Sequence, residues 1–167
     1  MKTTSRPASL RDYDPEGDVN LAGFTGSLGA FVVTAATAAL VGRAKTKEQP
    51  QRFSMTDVLL GGLATHKVSR LLAKGAVTSP IRAWFTTFEG AAGSSEHRES
   101  PRDDHGFRHT VGELLTCPFC LAQWLALAYV AGLVVVPGPT RAGATVFAVT
   151  ALSDSLQHVY EGLVRDA

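Results

Sequence analysis

The chain has 167 residues, with 16 Lys and Arg against 15 Asp and Glu, a formal charge of +1. That length fits one compact unit, and so even a balance argues against the basic surface of a nucleic-acid binder. Two cysteines are too few for a disulfide scaffold, so they point to redox or metal chemistry or to inert packing. The charges are segregated into 1–18, 43–57, 66–74 and 96–113, with apolar runs between them. A soluble domain would interleave charge and hydrophobe at helical or strand period.

Residues 1–20 are polar and carry Pro7 and Pro15, which predicts a poorly ordered tail. With no apolar core among Arg6, Arg11, Asp12, Asp14, Glu16 and Asp18, no signal peptide is expected there. Residues 21–42 run without a charge, and about 20 apolar residues suffice for a helix to cross the bilayer. Gly26 and Ala30 form a small-xxx-small pair suited to close helix packing.

After a basic loop, Ser54 with Asp57 forms a capping-box pattern that opens a second helix running through Lys74. Its first half is apolar, but His66, Lys67, Arg70 and Lys74 follow. A basic residue at a helix centre costs roughly 2.5–3.5 kcal/mol on insertion scales, so this helix spans only if those residues lie near one end. Ser79-Pro80 predicts a short helix with Ser79 as its N-cap. Ile81, Trp84, Phe85 and Phe88 follow at i, i+3, i+4 and i+7, a stripe expected to lie in the membrane interface.

Residues 90–108 are rich in Gly, Ser and charge and predict a flexible loop. Thr110 with Glu113 forms a second capping-box pattern, and Thr116 or Cys117 is placed to cap a further helix with Pro118 in its first turn. Residues 121–136 are a second apolar span, ended by Pro137-Gly138-Pro139, and a last helix is expected over about 140–164. The fold class is therefore all-α: a multi-pass bundle of three or four spans with a short interfacial helix. Its organisation is a tail over 1–20, an N-terminal span over 21–42, and a membrane core over 55–164 that includes a loop over 75–112. Basic residues place that loop in the cytoplasm under both the three- and the four-span arrangement.

Three helices then bring polar groups to one level. Taking the boundary near Lys74, Leu115 and Val164, the side chains of Lys67, Arg70, Cys117, Cys120 and His158 fall within roughly 3–11 Å of it, with His66 and Asp154 a little deeper. Asp154 is expected to pair with Lys67 or Arg70, either as a structural tie or as a functional group. Cys117-Pro118-Phe119-Cys120 sits at a helix start, where free N–H groups and the helix dipole favour the thiolate. Cytoplasmic placement predicts separate thiols at rest. His105 and His109 add H-x3-H spacing to C-x2-C, a zinc-like set whose seven-residue connection is shorter than the usual finger linker. Zinc is thus the one cofactor weighed, against none, and no catalytic residue is assigned: P-loop, HExxH, nucleophile-elbow and dinucleotide patterns are absent from the sequence.

Several blocks carry a resemblance. Leu63 to Leu72, Val77 to Arg82 with Phe88-Glu89-Gly90, and Gly112 to Cys120 with Trp124 resemble the bacterial multi-pass membrane family catalogued as domain of unknown function 1360. That family includes sporulation-associated members in some Gram-positive bacteria. The resemblance covers about 55–160 and implies a cell-membrane protein without an assigned activity. Arg70, Glu113, Cys117 and Cys120 are its matching positions. The leading expectation is a membrane scaffold or assembly factor that recruits a protein at its cytoplasmic face. The alternative is a thiol-redox or metal protein using Cys117 and Cys120. Expected partners are the lipid bilayer, that protein and, left open, a second copy of the chain, but no nucleic acid.

Overall fold

The computed structural model describes residues 14, 19–45, 52–93 and 95–165; the expected tail lies mostly outside them. The chain is mainly helical, with six helices and one two-stranded sheet among the described residues. Helix α1 is Leu21–Lys45 and α2 is Met55–Lys74. A 3-10 turn over Ala76–Thr78 leads into the one-turn helix α3, Ser79–Arg82. Strands β1 (Thr86–Gly93) and β2 (Glu96–Pro101) precede α4 (Gly106–Thr116), α5 (Pro118–Val135) and α6 (Pro137–Arg165).

The capping box at the head of α2 forms as its sequence predicts: Asp57 N donates to Ser54 Oγ and Ser54 N donates back to the Asp57 carboxylate. The Thr110/Glu113 box does not form. Helix α4 starts four residues earlier, so Thr110 lies within it and donates to the Gly106 carbonyl. Cys117, in extended conformation, caps α5 with Pro118 in the first turn. Pro137-Gly138-Pro139 opens α6 instead of standing apart as a linker, because proline is tolerated in a first turn.

Helices α2, α5 and α6 pack together, and their seam is made of small residues. Ala64 and Ala73 on α2 and Ala144, Ala148 and Ala151 on α6 are buried, the latter three on one helical face. Gly61 lies under the Tyr129 ring of α5, so close that a β-carbon there would sit 2.3 Å from it. The pairs Asp57–Arg141 and Lys67–Asp154 make α2 and α6 parallel. Helix α5 turns back into α6 at a single residue, Val136, so it runs against both. Helix α1 runs alongside α5 in the same direction, with Phe31 edge-on to Trp124 at 5.4 Å and Gly42 beside Val134. The chain thus alternates direction through α1, α2, α5 and α6, and the start of α1 lies at the same end as the sheet, Cys117 and the end of α6.

Two of these helices, α1 and α5, are long and apolar enough to cross a membrane. None of the apolar window of α1 is buried, and only 11% of that of α5. Phe24, Leu28, Val32, Val33 and Leu40 face outward. Helices α2 and α6 do not meet the same test of length and apolarity.

The purely helical expectation is corrected by the sheet, and so is the flexible loop over 90–108. Strands β1 and β2 pair antiparallel from Thr86↔Pro101 to Gly93↔Glu96, with irregularities between Phe88 and Gly90 and between Ala91 and Gly93. The aromatic stripe is corrected too. The helix that begins at Ser79 stops at Arg82, so Ile81 lies on α3, Trp84 and Phe85 in the turn after it, and Phe88 in β1. The chain breaks there because the Arg82 side chain folds back onto the end of α2.

Candidate functional site

The sheet end of the molecule is assembled around Arg82, 1% exposed, and the Glu99 side chain, 5% exposed. Arg82 Nε and Nη2 donate to the two Glu99 carboxylate oxygens at 2.9 and 2.7 Å. Its Nη1 donates to the Leu72 carbonyl and Thr78 Oγ1, both at 2.6 Å, and Nη2 also to the Gly75 carbonyl at 3.0 Å. The carbonyls of Leu72 and Gly75 come from the end of α2, where the last turn of a helix lacks internal donors. One guanidinium therefore closes a helix end and ties a strand to it. Glu99 also accepts from Thr86 Oγ1 at 2.8 Å and Ser79 Oγ at 3.3 Å. Burial pushes the Glu99 carboxyl up, but Arg82 and these hydroxyls outweigh it and hold the group below its ordinary value.

The hairpin tip is fixed as well. Arg70 Nε and Nη2 clasp the Glu96 carboxylate at 2.6 and 2.9 Å, and Ala76 N donates to the Ser95 carbonyl. At the base, Arg102 donates to the Ala83 and Thr86 carbonyls and Arg108 to that of Trp84. Gly112 of α4 packs against this base so tightly that a β-carbon would sit 2.7 Å from Phe85 O. Outside the tied framework, Val77, Ile81, Trp84 and Phe88 are 60–78% exposed. Phe88 meets His97 edge-on across the hairpin at 4.9 Å. Phe85 is partly buried and its carbonyl is taken by Arg102 N.

The expected polar cluster is divided. Lys67 and Asp154 form an ion pair between α2 and α6. Arg70 belongs to the hairpin, His66 is exposed, and His158 lies near Glu161 on the exposed end of α6, its side chain 81% exposed. The rise along each helix put all five near one membrane level, but the hairpin supplied Glu96 as the partner of Arg70.

The zinc set is not brought together either. His105 is exposed at the start of α4, and His109 bonds the Asp103 carbonyl through Nδ1 and lies 3.5 Å from Glu113 through Nε2. Among the described residues no group of three or more His, Cys, Asp and Glu is placed to hold a metal ion. Glu113 instead accepts from Asn20 Nδ2 at 2.9 Å, while Asn20 Oδ1 caps α1 at Gly23 N. This clasp ties the start of α1 to α4.

Cys117 and Cys120 are paired as a disulfide, with Cα atoms 5.3 Å apart, where separate thiols were expected. The helix start sets this spacing: Cys117 caps the turn that carries Cys120, and Cys120 N donates to Cys117 Sγ. Cys120 lines a cavity of about 340 Å³ between α1, α4 and α5, together with Glu113, Gln123 and Trp124.

Sequence reasoning missed the ties at both ends. Arg82 and Glu99 are seventeen residues apart with no periodic relation. Asp57 was read only as part of a cap, yet Arg141 clasps it at 2.7 and 3.1 Å, and Tyr129 Oη donates to its backbone carbonyl. The available signal was an acidic residue at the head of α2 and a basic one at the head of α6, at the same end of the molecule.

The molecule is thus a helix-dominated chain with two unburied apolar helices and a small sheet locked to the end of a third. A model of the family described as protein of unknown function (DUF1360) matches residues 59–160, and the chain belongs to that family. No curated protein and no solved structure matches it.

Proposed function

We propose that the protein is an integral membrane scaffold in which α1, α2, α5 and α6 cross the bilayer in alternating directions and the hairpin end recruits a protein partner on the cytoplasmic side. The observation that carries the reading is the pairing of unburied apolar helices with a rigid, outward-facing apolar group. Val77, Ile81, Trp84 and Phe88 are held exposed by a network that leaves no buried side-chain polar atom unsatisfied among the described residues. Aromatic residues presented on a fixed support are the usual anchors of protein interfaces. Alternation of the four long helices puts residue 19 and the hairpin on one side. Arg70, Lys74, Arg82, Arg98, Arg102 and Arg108 lie there, against Arg43, Lys45, Arg52 and Arg141 at the other end, which supports a cytoplasmic hairpin.

Helices α2 and α6 fit the crossing because Asp57 pairs with Arg141 near their starts and Lys67 with Asp154 deeper in the seam, so the charges facing between them are matched. Reporter fusions at residues 20, 50, 95 and 167 test the topology, with 20, 95 and 167 expected on the cytoplasmic side and 50 outside. For recruitment, the full chain carrying Ile81→Ala and Trp84→Ala is expected to lose a specific co-purified protein while keeping its helical circular dichroism. Quenching of Trp84 by brominated lipid, measured in a Trp124→Phe background, would place the apolar group in the headgroup layer and overturn recruitment. A chain that stays monodisperse in buffer without detergent would overturn the membrane placement itself.

A further inference from the structure

The cavity beside Cys120 carries an assignment that the scaffold reading does not need. Its walls come from three elements. Phe24 and Phe31 of α1 and Trp124 of α5 give it aromatic sides, Glu113 of α4 and Gln123 of α5 are among its polar groups, and Cys120 is part of its lining. A volume of about 340 Å³ lies in the range of small-molecule sites, and mostly apolar walls with few polar groups are their usual composition. Trp124 also meets Phe31 edge-on, so the aromatic sides are packed against each other.

The location narrows the ligand. Helices α1 and α5 are the two long apolar helices, and the cavity lies between the first turns of each, near the level at which α5 begins. A ligand reaching it from the bilayer must be lipid-soluble. The adjacent cysteine pair exchanges two electrons and two protons between dithiol and disulfide. A planar, lipid-soluble two-electron carrier with a carbonyl to accept from the Gln123 amide satisfies all of these conditions.

We propose that this cleft binds a membrane quinone, which oxidises the Cys117–Cys120 dithiol. The Cys120 thiolate adds to the quinone ring, and the Cys117 thiolate then attacks the Cys120 sulfur. The S–S bond forms, the carbon–sulfur bond breaks with its electron pair, and the ring leaves as the hydroquinone dianion. That dianion takes up the two protons the thiols released, and the Glu113 carboxylate on the wall can hold one of them in transit. Two electrons pass from sulfur to quinone, giving one disulfide and one quinol. Thiol–disulfide exchange with a second dithiol returns the pair to its reduced form.

The test uses the full chain in detergent micelles, reduced with a phosphine, freed of reductant without air, and mixed with menadione or decylubiquinone. Thiols are counted by the mass shift with a maleimide and quinol by its absorbance. The expected result is two thiols lost per quinol formed. Ser27→Phe fills the cleft from α1 while leaving both cysteines in place, and it should lower the initial rate by at least about tenfold, the scale of a misplaced reacting pair. Gln123→Leu keeps the volume and removes the amide, and it decides the matter if Ser27→Phe loses its helical circular dichroism. Rates equal to wild type in the folded variants, or thiol loss without quinol, overturn the assignment. Both readouts are independent of whether Trp84 recruits a partner.

Discussion

Arg82→Met removes the guanidinium that holds the hairpin to α2 and leaves the shape of the stem. Five acceptors then lose a donor: the Glu99 carboxylate, the Leu72 and Gly75 carbonyls, Thr78 Oγ1 and Ser79 Oγ. Glu99 keeps the hydroxyls of Thr86 and Ser79, with His97 Nδ1 3.9 Å away, in a site where its side chain is 5% exposed. Removing one partner of a buried pair costs roughly 3–5 kcal/mol, because the remaining charge is stranded. Since each 1.4 kcal/mol is tenfold, that is about two to three and a half orders of magnitude in the opening equilibrium of the hairpin. Hydrogen exchange followed by mass spectrometry on peptides covering 86–101 reads this directly. The double variant Arg82→Met with Glu99→Leu should recover much of the protection, because no charge is then left without a partner. Wild-type protection in Arg82→Met, or a double variant as unprotected as the single one, would refute the reasoning.

Acidification should release the same hairpin, and the sign is fixed by Glu99. Its carboxyl is depressed in the folded chain, so its contribution is full above the ordinary carboxylate range and is lost as pH falls through the depressed value. Protection at 86–101, corrected for the intrinsic exchange rate, should therefore hold steady from neutral pH to the top of the ordinary carboxylate range and fall progressively from there down through the depressed value, and Glu99→Gln should lack that step. Gly112→Ala should lower the thermal midpoint by several degrees, because the added carbon meets Phe85 O at 2.7 Å and Pro101 Cα at 3.0 Å and backbone cannot give way cheaply. Asp57→Asn should lower the midpoint of detergent unfolding, by less than the loss of a fully buried pair would, because the Arg141 side chain is 51% exposed. Arg141→Met in the same background should add little.

The long helices were legible because their signals are local. The Ser54/Asp57 box, the Pro118 start and the charge-free runs each depend on neighbours within a turn or two. The hairpin was hidden for the opposite reason. Thr86–Gly93 reads Thr-Thr-Phe-Glu-Gly-Ala-Ala-Gly, half of it Gly and Ala, poor strand formers, and its register irregularities blur any alternation. Its shape comes from Arg82 and Arg70 reaching across to Glu99 and Glu96, contacts that no window of sequence contains. The aromatic spacing from Ile81 to Phe88 was likewise real, but a helix there would pull Arg82 away from the carbonyls it caps. Membership of the family was legible from its short blocks, and Glu113 and Arg70 proved to be ties between elements, while the zinc set failed on the separate engagements of His109.

The two ion pairs between α2 and α6 fix more than proximity. Ten residues separate Asp57 from Lys67 and thirteen separate Arg141 from Asp154, rises of about 15 and 20 Å that the long basic side chains reconcile. A slide of one helix along the other by a single turn, about 5.4 Å, would break both clasps at once while leaving the alanine seam almost unchanged. Packing alone would let these smooth surfaces settle at several offsets. The charges at the two levels act as a vernier, and they leave one alignment in which both engage.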